Sequence, residues 1–171
     1  GEMIKLTVFL ILCLSLTSAN IKPKKVIFFG DSITEIGVQD GGYIDILQKR
    51  LQKENKSKDF VFKGAGIGGN KVYDLFFRLE HDVLSQKPDI VVIWIGVNDV
   101  WHKSTFGTGT DFDKFVKFYE EIIHKCQSAG IKVYCCTPAA IGEKTDHSNP
   151  QDGDLNELSK IIRVEAKKKI C

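Results

Sequence analysis

The chain has 171 residues, 43% hydrophobic and 27% charged, with a formal net charge of +2. That composition suits one globular domain with one core, and without a basic block interleaved with aromatics it sets nucleic-acid binding aside. Five cysteines occur without a C-x-x-C pair, which argues against a zinc site.

Met3 and Lys5 precede an apolar run from Leu6 to Leu16, and the small residues Thr17-Ser18-Ala19 follow. This pattern predicts a secretory signal peptide over residues 1–19, cleaved after Ala19, with a mature domain over 20–171 in a secreted or periplasmic location. The run is shorter than the roughly 20 residues of a comfortable membrane span; an uncleaved anchor is the alternative. Stable membrane insertion is not expected after cleavage. Gly1-Glu2 read as upstream residues. Cleavage would remove Cys13 and leave Cys126, Cys135, Cys136 and Cys171. Export permits disulfides, but the sequence nominates no pair.

The first predicted strand is Lys25–Gly30. Gly30 breaks it, and Asp31-Ser32 stand at a turn where a helix could begin. A helix follows near Gly42–Glu54, with Tyr43, Ile44, Leu47 and Leu51 at helical spacing. A short second strand, Phe60–Lys63, leads into glycine-rich Gly64–Gly69 and a helix near Lys71–Ser85. Strand three, Asp89–Ile95, is apolar without alternation, which predicts cover on both faces. Gly96–Gly109 reads as a long loop. The helix Phe112–Ala129 carries one clear apolar face and ends at Gly130. Strand four is Lys132–Thr137; a polar loop and a last helix, Asp154–Lys168, complete the chain. The alternation βαβαβαβα predicts an α/β fold, a parallel sheet with helices on both faces joined by right-handed crossovers.

Parallel strands place their carboxyl ends on one edge, where open α/β sheets bind ligands. The segments after strands one, two and three are Gly30-Asp31-Ser32, Gly66-Ile67-Gly68-Gly69-Asn70 and Gly96-Val97-Asn98-Asp99. A serine, close-approach glycines and an asparagine amide can then converge, as acyl transfer requires of a nucleophile and its oxyanion donors. Taken alone, Gly-Asp-Ser reads equally as a strand ending in a helix cap. It is not a G-x-S-x-G elbow, because Thr34 stands at the second glycine.

In order, Gly-Asp-Ser-Ile, a glycine after strand two and Gly-x-Asn-Asp after strand three resemble the first three blocks of the SGNH (GDSL) hydrolases, over about residues 25–137. The resemblance implies a three-layer flavodoxin-like sandwich with strand order 2-1-3-4-5. It implies Ser32 as nucleophile, and an oxyanion hole from the Ser32 N–H, the Gly69 N–H and the Asn98 amide. Asp31 and Asp99 would brace the loops. The implied activity is a serine esterase using no metal or cofactor, with a small-molecule or glycan ester as substrate. Short acyl groups on carbohydrates come first. A lipid or lysophospholipid acyl hydrolase is the second choice, and a non-catalytic ligand-binding module on the same fold is the rival class. The family's Asp-x-x-His block, which follows a fifth strand and supplies the general base, has no counterpart here. The sequence is therefore read as stopping short of it, and a chain without that histidine should be nearly inactive.

Other residues are weighed beside these. Asp99-Val100-Trp101-His102 has Asp-x-x-His spacing but overlaps the third block, so His102 is expected to line the pocket. Trp101 is either a platform for a sugar or acyl chain or packing under the loop. His147 reads as a surface residue, and His81 and His124 as solvent-facing. Gly64–Gly69 also fits G-x-G-x-x-G, with Asn70 and Lys71 able to meet a phosphate. It follows the second strand, however, and lacks the ribose-binding acid. The oligomeric state is not readable.

Overall fold

The computed structural model describes residues 22–142 and 144–170. The expected signal peptide, residues 1–19, lies outside them. Four strands, β1 (Lys24–Gly30), β2 (Phe60–Gly66), β3 (Ile90–Trp94) and β4 (Lys132–Cys136), form one parallel sheet in the order β2-β1-β3-β4. The helices are α1 (Ser32–Gly37), α2 (Tyr43–Lys53), α3 (Val72–Asp82), α4 (Val97–Thr105), α5 (Phe112–Ser128) and α6 (Asp152–Ile170). A 3₁₀ turn, Leu84–Gln86, follows α3.

One sheet face carries most of the core. Ile27, Phe29, Val91, Ile93 and Val133 point into it and meet Leu75 and Leu79 of α3, Phe115, Tyr119, Ile122 and Ile123 of α5, and Leu155, Leu158 and Ile162 of α6. Full burial of each such side chain contributes about 1.5–3 kcal/mol. The opposite face has a smaller cluster, Val26, Phe28 and Ile44, with Tyr43, Phe60 and Phe62 against it.

Three expectations are corrected. β2 does not stop at Lys63 but runs to Gly66, paired along β1 to Gly30. Glycine is a poor strand residue, yet here α1 lies directly over the strand. A Cβ on Gly66 would fall on the Glu35 amide nitrogen, and one on Gly64 would press on Val38. The expected Gly96–Gly109 loop contains helix α4, which is short and lacks a long apolar stripe. β3 is not evenly covered: Val91 and Ile93 are fully buried, while Ile90, Val92 and Trp94 are half-buried. Their face meets helix cover mainly from α2, which sits toward β1 and β2. On that face Trp94 stacks edge-on against Tyr43, with ring centroids 5.2 Å apart.

Candidate active site

The first component is the turn from β1 into α1. Asp31 is buried and caps the helix, its Oδ1 accepting the Ile33 N–H at 3.0 Å and its carbonyl accepting the Glu35 N–H at 2.9 Å. Burial pushes the Asp31 carboxyl above the usual carboxylate range, against the pull of the Ile33 N–H. Ser32 is therefore the first helical residue, half-buried, and its own N–H is one of the donors that a helix start leaves unpaired within the helix. Gly30 has no room for a side chain, since a Cβ there would strike the Trp94 carbonyl.

The second component is the turn after β2. The Asn70 N–H donates to the Ile67 carbonyl at 3.3 Å, and Gly69 has φ +75°. These are the features of a type II turn, whose third position demands positive φ and so favours glycine. Gly68 abuts the turn that carries Ser32: a Cβ on Gly68 would lie 3.9 Å from Ser32 Cβ. Gly69 faces the other way, 3.7 Å by the same measure from His102 Cε1. Among the described residues no acceptor takes the Gly69 N–H. Lys71, itself buried, holds the loop by donating from Nζ to the Gly69 carbonyl at 3.1 Å and pairing with Asp74 at 3.2 Å. Its ammonium is thus engaged, which leaves little for the phosphate reading of this segment.

The third component is the start of α4. Asn98 is buried, 4% exposed, and its Nδ2 donates to the Asn70 carbonyl at 3.0 Å. A primary amide has two N–H donors, so a second remains for a ligand. Asp99, 1% exposed, receives the Val72 N–H on both oxygens, at 3.1 and 3.3 Å. An anion at the first residue of α3 is well placed, and this contact fixes α4 against α3. Burial nonetheless pushes the Asp99 carboxyl up to about 6. With its oxygens on Val72, Asp99 forms no hydrogen bond to His102. The His102 ring is held below its usual range by burial and by the Lys71 charge. It stacks near Trp101 and Phe106, centroids 5.5 and 5.0 Å away. Trp101 is 43% exposed, so it is not packing beneath a loop, and Phe106, which also meets the His102 ring, is exposed too.

The structure therefore brings Asp31, Ser32, Gly69, Asn70, Asn98, Asp99 and His102 to one sheet edge. His147 is exposed, and the side chains of His81 and His124 are 91% and 69% exposed. Among the described residues no histidine hydrogen-bonds the Ser32 hydroxyl.

One residue of this edge was not foreseen. Arg78 of α3 donates from Nε to Asn70 Oδ1 at 2.8 Å, from Nη1 to the Ala65 carbonyl at 3.0 Å and from Nη2 to the Gly30 carbonyl at 2.7 Å. Its signal in the sequence is a cation beside Leu75 and Leu79, on the stripe that should be apolar, with an acid four residues on.

Residues 28–170 match the GDSL-like Lipase/Acylhydrolase family. The crystal structure of an acetyl xylan esterase, AlAXEase, superimposes with a TM-score of 0.83 at 60% identity, covering 86% of this chain and 74% of that one. An acetylxylan esterase of Geobacillus stearothermophilus is 38% identical over 91 residues, 47% of this chain and 42% of the relative. The structure of Axe2, an acetylxylan esterase from Geobacillus stearothermophilus, is similar at 25% identity and TM-score 0.77, covering 87% of this chain and 74% of that one. Catalytic mutants of Axe2 replace a serine, an aspartate or a histidine by alanine, the aspartate three positions before the histidine. The chain spans about half the length of the curated relatives it matches. The breadth of the family match and the 60% identity to a solved esterase lead to one assignment: the chain belongs to the GDSL-like lipase/acylhydrolase family.

Proposed function

We propose that this protein is a serine ester hydrolase that removes acetyl or short acyl groups from carbohydrate-type esters through an acyl-enzyme on Ser32. The observation that carries this reading is the Asn98 amide. It is held on the Asn70 carbonyl with a donor to spare, beside a Gly69 N–H that no described residue uses and a Ser32 N–H at a helix start. In the proposed reaction Ser32 Oγ attacks the ester carbonyl and gives up its proton to a base. The carbonyl oxygen, now negative, takes the three N–H donors. The alcohol leaves with a proton, and water then releases the acid from Ser32. Each preorganised donor of this kind is worth roughly 3–4 kcal/mol in the transition state.

The base is not assigned to His102, which faces Gly69 and lacks an aspartate partner. The catalytic aspartate and histidine of Axe2 support an Asp-x-x-His pair in that role. The acetylxylan esterase relatives support a sugar ester over a long-chain lipid. The exposed Trp101 beside His102 supports it too, since a sugar ring can lie on an aromatic face. The reading extends to a secreted or periplasmic protein, on the strength of residues 1–19 alone.

The test is hydrolysis of acetylated xylo-oligosaccharides against long-chain acyl esters by the intact gene product. Acetate release should dominate, and Ser32→Ala should lower kcat by at least about 10³-fold. Activity untouched by that substitution would end the proposal.

A further inference from the structure

We propose that Arg78 is a positioning residue for acyl transfer, locking the nucleophile turn and the oxyanion loop into one relative placement. This rests on the reading of Ser32, Gly69 and Asn98 given above.

Arg78 is not a surface cation that happens to lie near the site. Its side chain is 15% exposed, and its guanidinium carbon sits 4.5 Å from the centroid of the Phe29 ring, in the core. Four N–H bonds leave it in different directions. Nη2 reaches the carbonyl of Gly30, the residue before Asp31-Ser32. That same carbonyl accepts the Ile67 N–H at 3.2 Å, so both its lone pairs are spent at the root of the turn. Nη1 reaches the carbonyl of Ala65 near the end of β2 and also Asp82 Oδ2, at 2.6 Å. Nε reaches the side chain of Asn70, whose own carbonyl holds the Asn98 amide. One rigid plane thereby joins the ends of β1 and β2 to the turn that follows β2, and reaches the third segment through Asn70.

The chemistry explains why the residue is arginine. Three oxygens on three backbone segments must be met by donors whose mutual angles are fixed, and the guanidinium fork provides them. A lysine ammonium carries the charge but can satisfy these oxygens only by choosing among them. Asp82, four residues along α3, holds the plane in place. Arg78 meets no reacting atom; it acts through Gly30 and Asn70. Its loss should shift the oxyanion donors relative to Ser32 rather than remove them. A misplacement near 1 Å costs about 10²-fold in rate.

The experiment compares Arg78→Lys and Arg78→Ala with the unsubstituted intact gene product on 4-nitrophenyl acetate, with Ser32→Ala as reference. Circular dichroism and thermal unfolding report how much of each variant is folded. The expected result is a kcat lowered by about 10–10²-fold per folded molecule with KM within about twofold. A trifluoromethyl ketone, whose tetrahedral adduct needs the same donors, should bind more weakly in proportion. Added guanidinium should restore part of the kcat of Arg78→Ala. Should Arg78→Ala not fold, Arg78→Lys decides by the same kcat and inhibitor measurements. Wild-type kcat and inhibitor affinity in folded Arg78→Lys would overturn the inference, while an inactive Ser32→Ala left the esterase reading standing. Full activity in Ser32→Ala would overturn both.

Discussion

Asp99 shows how a single side chain is made to serve position at the expense of stability. Its carboxylate anchors α4 to the first N–H of α3, which sets where Asn98 points. Ionising it inside the protein is costly, so its carboxyl sits near 6 against 3.8 in the unfolded chain. Below pH 3.8 the group is protonated in both states. Between 3.8 and 6 the folded state keeps a proton that the unfolded state has lost, so stability falls as pH rises through that window. The loss amounts to about 3 kcal/mol. Asp99→Asn keeps an acceptor for Val72 and cannot ionise. Its melting temperature should therefore gain on the wild type steadily from pH 4 to pH 7, whatever Asp31 and other groups contribute to both curves. Parallel curves would mean that Asp99 is not perturbed as described. The identity of Asp31, Ser32, Asn98 and Asp99 as a group was legible from glycine-marked segments after three strands. Arg78 was not singled out, because two of its partners are backbone carbonyls and a third is the Asn70 amide; only the cation on an apolar stripe with Asp82 four residues on marks it in the sequence.

At the level of elements, the alternation of strands and helices was legible because long apolar runs announce it, while the sheet order came only with the family resemblance. What escaped was decided by neighbours. Gly64 and Gly66 look like the end of a strand, yet they continue β2 because α1 presses against it. α4 is bracketed by Gly96, Gly107 and Gly109, and its few apolar residues give no stripe, so it reads as loop. The two glycine classes should separate by experiment. Gly66→Ala places a methyl against the Glu35 backbone, where nothing flexible can yield. Overpacking of that kind should cost about 3 kcal/mol or more. Gly69→Ala meets only His102 Cε1, at ordinary contact distance, so its cost is that of a positive φ, about 1–2 kcal/mol. Urea unfolding of the two variants measures the ranking. Equal destabilisation would show that α1 does not lie as close to β2 as described.

Across the whole molecule the two sheet faces are unequally clothed. α3, α5 and α6 cover one of them. On the other, α2 covers β1 and β2, while Ile90, Val92 and Trp94 are half-buried and Tyr134 of β4 is 46% exposed. Among the described residues β4 is also an outer strand. β2, the other outer strand, carries Lys63 at its centre, a residue type that discourages edge pairing, whereas the centre of β4 is Tyr134. An apolar strand edge beside an open apolar face invites pairing with another chain. The 171-residue chain prepared by itself should therefore associate with rising concentration. Tyr134→Lys sets a second ammonium beside Lys132, whose Nζ now lies 5.1 Å from the Tyr134 ring centroid. The substitution should weaken association while changing stability by no more than about 1 kcal/mol, as expected for a half-exposed site. Sedimentation over a concentration series, with thermal unfolding of each chain, measures both. Association unchanged by Tyr134→Lys would move the contact elsewhere. The exposed Phe77 on α3, ringed by Phe76 and Phe118, would then be the surface to substitute next.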